Sequence, residues 1–135
     1  MDTLSVQERS ERMRRVRSRD TNPEKSLRKL VWALGYRYRK HRRDVPGHPD
    51  LAFVGRRRAI FLHGCFWHRH DCESGRRLPK SRVEFWTEKF RRNVERDAVV
   101  SKALKRAGWK FLVVWECELK RPEIVERKVR RFLDA

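Results

Sequence analysis

Leu27, Leu30, Val31 and Leu34 recur at three- and four-residue spacing behind Thr21 or Asn22, Pro23 and Glu24, and Gly35 follows. This predicts a helix with a capped start, one apolar face and a glycine stop. Residues 36–40 alternate aromatic and basic side chains, the pattern of a half-buried strand, before a loop holding Pro46, Gly47 and Pro49. Leu-Ala-Phe-Val at 51–54 and Arg-Ala-Ile-Phe-Leu at 58–62 flank a turn at Gly55 and predict a hairpin whose second strand delivers His63 at its end. Residues 63–82 carry no period and read as irregular. A long helix is expected from 83 to 106 with Trp86, Phe90, Val94, Ala98 and Leu104 inward, stopped by Gly108. A β-branched strand at 109–115 and a helix at 122–133 with Ile124, Val125, Val129, Phe132 and Leu133 complete the pattern.

That order predicts an α/β domain with a mixed central sheet of about four strands flanked by helices. Residues 21–135 form the single domain, and residues 1–20 form a basic N-terminal arm with a short helix around 6–15 and five arginines between 12 and 19. The arm is expected either to order on DNA or to fray as termini commonly do.

Charge narrows the partner. The chain of 135 residues has 36 Lys plus Arg against 18 Asp plus Glu, a formal net charge of +18, so its surface seeks polyanions. The cations run along the whole chain instead of forming a juxtamembrane block, which favours nucleic acid over lipid. No apolar run reaches the roughly 18 to 20 residues of a membrane span, and the N-terminus lacks a signal-peptide core. The expectation is a cytoplasmic, nucleoid-associated monomer. Three cysteines do not make a disulfide framework and fit a reducing compartment.

Three of the five histidines and two of the three cysteines fall between His63 and Cys72. Cys65, His70 and Cys72 with the distant Cys117 offer four N or S ligands, a closed Cys₃His set suited to structural Zn²⁺. His63 and His68 compete as ligands at this level. Taken singly, each cysteine also fits a buried core position. Asp50, at the start of one hairpin strand, faces the end of its partner, where His63 stands. A carboxylate there suits Mg²⁺ against a phosphodiester, with His63 or His68 as proton acceptor. Taken alone, Asp50 reads first as a turn residue and Glu24 most simply as a complement to its helix dipole. Phe66 and Trp67 lie in a polar loop and Trp86 opens the long helix, so they can wedge into a weakly paired base step or close a small core over the loop. Lys80, Arg82, Lys89, Arg91, Arg92 and Asn93 offer phosphate contacts, with Lys89 or Asn93 in reach of base edges.

Pro-Gly-His-Pro-Asp (46–50), His-Gly-Cys-Phe-Trp-His-x-His-x-Cys (63–72), Glu-Phe-Trp-x-Glu-Lys (84–89), Asn-Val-Glu-Arg-Asp (93–97) and Val-Trp-Glu-Cys (114–117) resemble the very short patch repair (Vsr) DNA mismatch endonucleases over residues 12–132. The resemblance implies a restriction-endonuclease-like core and Mg²⁺-dependent nicking of one strand of double-stranded DNA, 5′ to the thymine of a T:G mismatch. It implies Asp50 as metal-binding carboxylate, His63 and His68 as catalytic histidines and Glu24 as a supporting acid. Cys65, His70, Cys72 and Cys117 would hold structural zinc, and Phe66, Trp67 and Trp86 would pack into DNA beside the mismatch. The wider superfamily places Glu-x-Lys where this chain has Phe61-Leu62-His63, so the Leu62 carbonyl would supply a metal oxygen and His63 would stand for the lysine. Other mismatch-repair proteins are implied as partners. Two alternatives stay open: a non-catalytic, zinc-stabilised DNA-bending module, and a nuclease whose metal site is the His-rich loop itself.

Overall fold

The computed structural model describes residues 22–78 and 80–134. The basic arm, its short helix and Thr21 lie outside these described residues. Helix α1 (Asn22–Ala33) is followed by strands β1 (Arg39–Lys40), β2 (Leu51–Phe53) and β3 (Arg58–His63), a one-turn helix α2 (Glu73–Arg76), the long helix α3 (Val83–Arg106), strand β4 (Lys110–Trp115), a 3-10 turn (Glu116–Lys120) and helix α4 (Pro122–Leu133). The sheet order is β1-β2-β3-β4, antiparallel up to β3 and parallel between β3 and β4. A parallel neighbour needs a crossover, and α3 provides it.

Both sheet faces are covered. Leu27 and Val31 of α1 and Val125, Val129 and Leu133 of α4 pack with Leu51, Phe53, Ile60 and Val114 on one face. Val45, Ala59, Phe61 and Leu104, joined by Val100 and Trp109, form the smaller core under α3. Side chains alternate along β3, so Ala59, Phe61 and His63 share the α3 face while Ile60 and Leu62 take the other. His63 is thereby aimed at the long helix.

Three expectations change. The strand predicted at 36–40 shrinks to Arg39–Lys40, a charged edge. The irregular stretch 63–82 contains α2. In α3 only Phe90 and Leu104 are buried; Val94 is 49% exposed and Ala98 is also open. A helix of 24 residues spans about 36 Å against about 20 Å for the six residues of β4, so its N-terminal turns overhang the sheet, while Ala98, nearer the middle, lines the open cleft at the sheet end. No helix among the described residues is long and apolar enough to cross a membrane.

Candidate active site and metal centre

The site lies at the sheet end where β2 begins and β3 and β4 end. The register Leu51↔Ile60 sets Asp50, one residue before β2, opposite Phe61 and within side-chain reach of Leu62, and the parallel register His63↔Trp115 brings the chain leading to Cys117 to the same end. Gly47 (φ +81°) lets the preceding loop close on α3: a Cβ there would stand 2.4 Å from Val100 Cγ1. Pro49 is fully buried behind it.

Asp50 Oδ2 accepts the Leu62 N–H at 2.6 Å. Loss of hydration on burial pushes its carboxyl from 3.8 up to about 6; the Leu62 N–H opposes this and the negative charge of Glu24 adds to it. Glu24, from the first turn of α1, is only 7% exposed and lies 3.6 Å from Arg28 Nη1 and 4.0 Å from His41 Nε2. It is part of this acidic corner, not a solvated complement to its helix. Asp50, Leu62, His63, His68 and Asp97 line one cleft of about 740 Å³.

The imidazoles of His63 and His68 stack with centroids 3.9 Å apart and planes 8° apart. His68 Nδ1 lies 2.7 Å from Asp97 Oδ2 on α3. Burial, then the neighbouring His68, lowers His63 to about 4, with Asp97 opposing, so His63 is neutral at neutral pH.

One ligand atom each from Cys65, His70, Cys72 and Cys117 lie within 4.8 Å of one another, with Cys117 Sγ 3.6 Å from His70 Nδ1. Metal–sulfur bonds of about 2.3 Å in a tetrahedron set ligand separations near 4 Å, so the set fits a four-coordinate ion. Cys72 caps α2, its Sγ accepting the Gly75 N–H at 3.4 Å, which lowers its thiol to about 7, whereas burial raises Cys65 to about 12. Glu118 accepts the Trp115 N–H and pairs with Lys128 Nζ at 2.8 Å, fixing the turn that carries Cys117. His63 and His68 stand in a separate group with Asp97. Trp115 sits between the groups, stacked on His70 at 4.2 Å and edge-on to His63 at 5.2 Å.

Phe66 contacts Trp67, Trp86 and Phe90 edge-on, with centroids 5.1 to 6.0 Å apart. Trp67 is 38% exposed, and Lys89 Nζ lies 5.2 Å from its ring centre. The aromatics therefore close over the loop and still present an open edge on the overhang of α3. The Asn93 amide donates to the Trp67 carbonyl at 3.2 Å, so here it holds the loop and does not project freely.

The structure thus gathers Asp50, Leu62, His63 and His68 in one cleft, Glu24 behind it, and the cluster of Cys65, His70, Cys72 and Cys117 beside it. Sequence reasoning passed over Asp97 and Trp115, although both lie in quoted motifs. The usable signal was a histidine paired to no acid and a long helix with an acid on the face toward the sheet.

Known proteins with this sequence pattern give first a class, the nicking endonucleases. The chain is 47% identical over 133 residues to the type II nicking enzyme V.XorIIP of Xanthomonas oryzae pv. oryzae, covering 98% of this chain and 97% of the relative. It is 44% identical over 112 residues to the DNA mismatch endonuclease Vsr of Escherichia coli K12, covering 83% and 71%. The family model for DNA mismatch endonuclease Vsr matches residues 1–74. The chain belongs to the Vsr family and is an endonuclease, which sets aside the non-catalytic module.

Proposed function

We propose that this protein nicks one strand of double-stranded DNA, 5′ to the thymine of a T:G mismatch, in very short patch repair, with Mg²⁺ at Asp50 and structural Zn²⁺ at Cys65, His70, Cys72 and Cys117. The observation that carries the reading is the convergence of Asp50, His63 and His68, the last held by Asp97, on one cleft beside a separate thiolate-rich cluster. The resemblance adds a restriction-endonuclease-like core, with which the mixed four-stranded sheet is compatible.

The donors suit the ions. Asp50 spends one oxygen on a single N–H and is pushed toward neutrality by burial and by Glu24, a cost that a divalent cation relieves. The Leu62 carbonyl is the second oxygen of that site. Three cysteines and a histidine choose Zn²⁺ over harder ions. When bound, Mg²⁺ supplies Lewis-acid stabilisation of the charge on the reacting phosphate.

His68 accepts the proton of the attacking water. Asp97 holds the proton on Nδ1 and leaves Nε2 as the free base, the division of labour of an oriented imidazole. Water's oxygen bonds to phosphorus as the bond to the departing sugar oxygen breaks, and that oxygen takes a proton from solvent water to leave as a hydroxyl. His63, neutral and stacked on His68, keeps that ring in plane. Phe66, Trp67 and Trp86 wedge beside the mispaired step, where unstacking costs least; Lys89 contacts the duplex next to them, and Asn93 does so with the amide oxygen and second N–H that its bond to the Trp67 carbonyl leaves open. DNA is the partner, with mismatch-repair proteins as further contacts of a monomer.

A 5′-labelled T:G duplex incubated with protein and Mg²⁺ is expected to yield one strand-specific nick, absent with Asp50→Ala while binding persists. Equal cutting by Asp50→Ala overturns the assignment.

A further inference from the structure

Most cations toward the N-terminal end of α3 are already engaged. Arg91 pairs with Glu88 and Glu95, Arg92 reaches Glu88 at 3.3 Å, and Lys89 lies over the Trp67 ring. Arg96 differs. The residues three and four positions away are Arg92, Asn93, Val99 and Val100, and the adjacent Asp97 is turned to His68. Among the described residues its side chain has no ion pair or hydrogen bond. Yet it lines the cleft of Asp50, His63 and His68, and it is the sole Lys or Arg among the described residues that do so.

The charges of the cleft make this cation informative. Asp50 and Asp97 bring two carboxylates, and a DNA phosphate entering beside them adds a third negative group. Among the described residues that line the cleft, Arg96 alone brings a permanent positive charge to meet them. On α3 its side chain is exposed at the edge of that cleft, where helix packing does not occupy it.

We infer that Arg96 is the phosphate-binding residue of the cleft: its guanidinium takes the non-bridging oxygens of the DNA phosphate at the nick, opposite Asp50. The planar fork suits two phosphate oxygens better than an ammonium does, and ion pairing to a phosphate partly withdrawn from water is much stronger than on an open surface. This assignment rests on the nicking reading and extends it to one further residue. Its alternative is an ordinary solvated arginine.

The test compares wild-type, Arg96→Ala and Arg96→Lys proteins in single-turnover nicking of a T:G duplex, and of the same duplex with one neutral methylphosphonate at each position around the nick. Arg96→Ala is expected to lose about 10²-fold in rate, as for removal of one transition-state donor, with Arg96→Lys between it and wild type. At one methylphosphonate position the wild type loses rate and Arg96→Ala loses no more. Zinc content and thermal midpoint stay at wild-type values, since the exposed side chain has no partner to lose. An Arg96→Ala rate within about twofold of wild type, or a loss that multiplies with that of every methylphosphonate, overturns the proposal. If the wild type leaves the T:G duplex whole, that failure falls on the nicking reading, and binding to the same duplex decides Arg96. There a salt dependence shallower by about one ion in Arg96→Ala supports the contact, and an unchanged one overturns it.

Discussion

Asp50→Asn is expected to make the protein more stable without divalent metal while abolishing nicking. The carboxyl is lifted from 3.8 to about 6, first by lost hydration and then by Glu24 against the help of the Leu62 N–H. That rise corresponds to roughly 3 kcal/mol in favour of the neutral form. Because the folded-state value is raised, Asp50 stabilises the fold fully only below about 3.8, and that contribution is lost as pH rises through about 6. Asparagine never ionises and still offers a carbonyl oxygen to Leu62. In a domain of this size the difference is worth roughly 10 °C in midpoint. The assay is calorimetric melting of both proteins from pH 4 to 7.5 in buffer freed of Mg²⁺ by ion exchange, since a chelator would also strip the thiolate cluster. The variant should melt higher at pH 7.5, with the gap closing toward pH 4, and added Mg²⁺ should raise the wild type alone. A variant no more stable at pH 7.5, or a gap that widens in acid, refutes the reasoning.

Three other substitutions probe the neighbours. Cys117→Ser removes the proposed zinc ligand nearest β4, and loss of the metal with several kcal/mol of stability is expected; a folded variant with full zinc content rejects the ligand set. Asp97→Asn lets the His68 ring take the wrong tautomer, so the single-turnover rate should drop about 10²-fold or more at unchanged DNA affinity, and a rate near wild type shows that His68 acts unaided. Gly75→Ala would set a Cβ 1.8 Å from the His70 carbonyl oxygen, displacing His70 and Cys72 together; zinc retention at the wild-type level contradicts the packing described.

The elements legible in the sequence are those whose own period suffices. The apolar stripe Leu27, Val31 with a glycine stop gave α1, and alternation through residues 58–62 gave β3 with His63 at its end. The Cys₃His cluster was legible because ligand chemistry and spacing restrict the choices. Competition of His63 and His68 for that cluster was resolved only by topology: residue parity along β3 points His63 to the α3 face, and α3 brings Asp97 to His68. The outward turn of Val94 and Ala98 was equally hidden, since periodicity marks an apolar face but not where the sheet beneath it ends. Residues 36–40 paired so little because an edge strand rich in cations has one neighbour to hold it.

The proposed division of labour between a Mg²⁺ site and a zinc cluster is tested most directly by titrating Mg²⁺ into protein freed of it and following, in the same samples, nicking of a T:G duplex and zinc bound per chain. Nicking that rises from zero with Mg²⁺ while about one zinc per chain stays bound is the predicted result. Full nicking without Mg²⁺, lost in step with zinc, would contradict the account and make the His-rich loop itself the reaction centre.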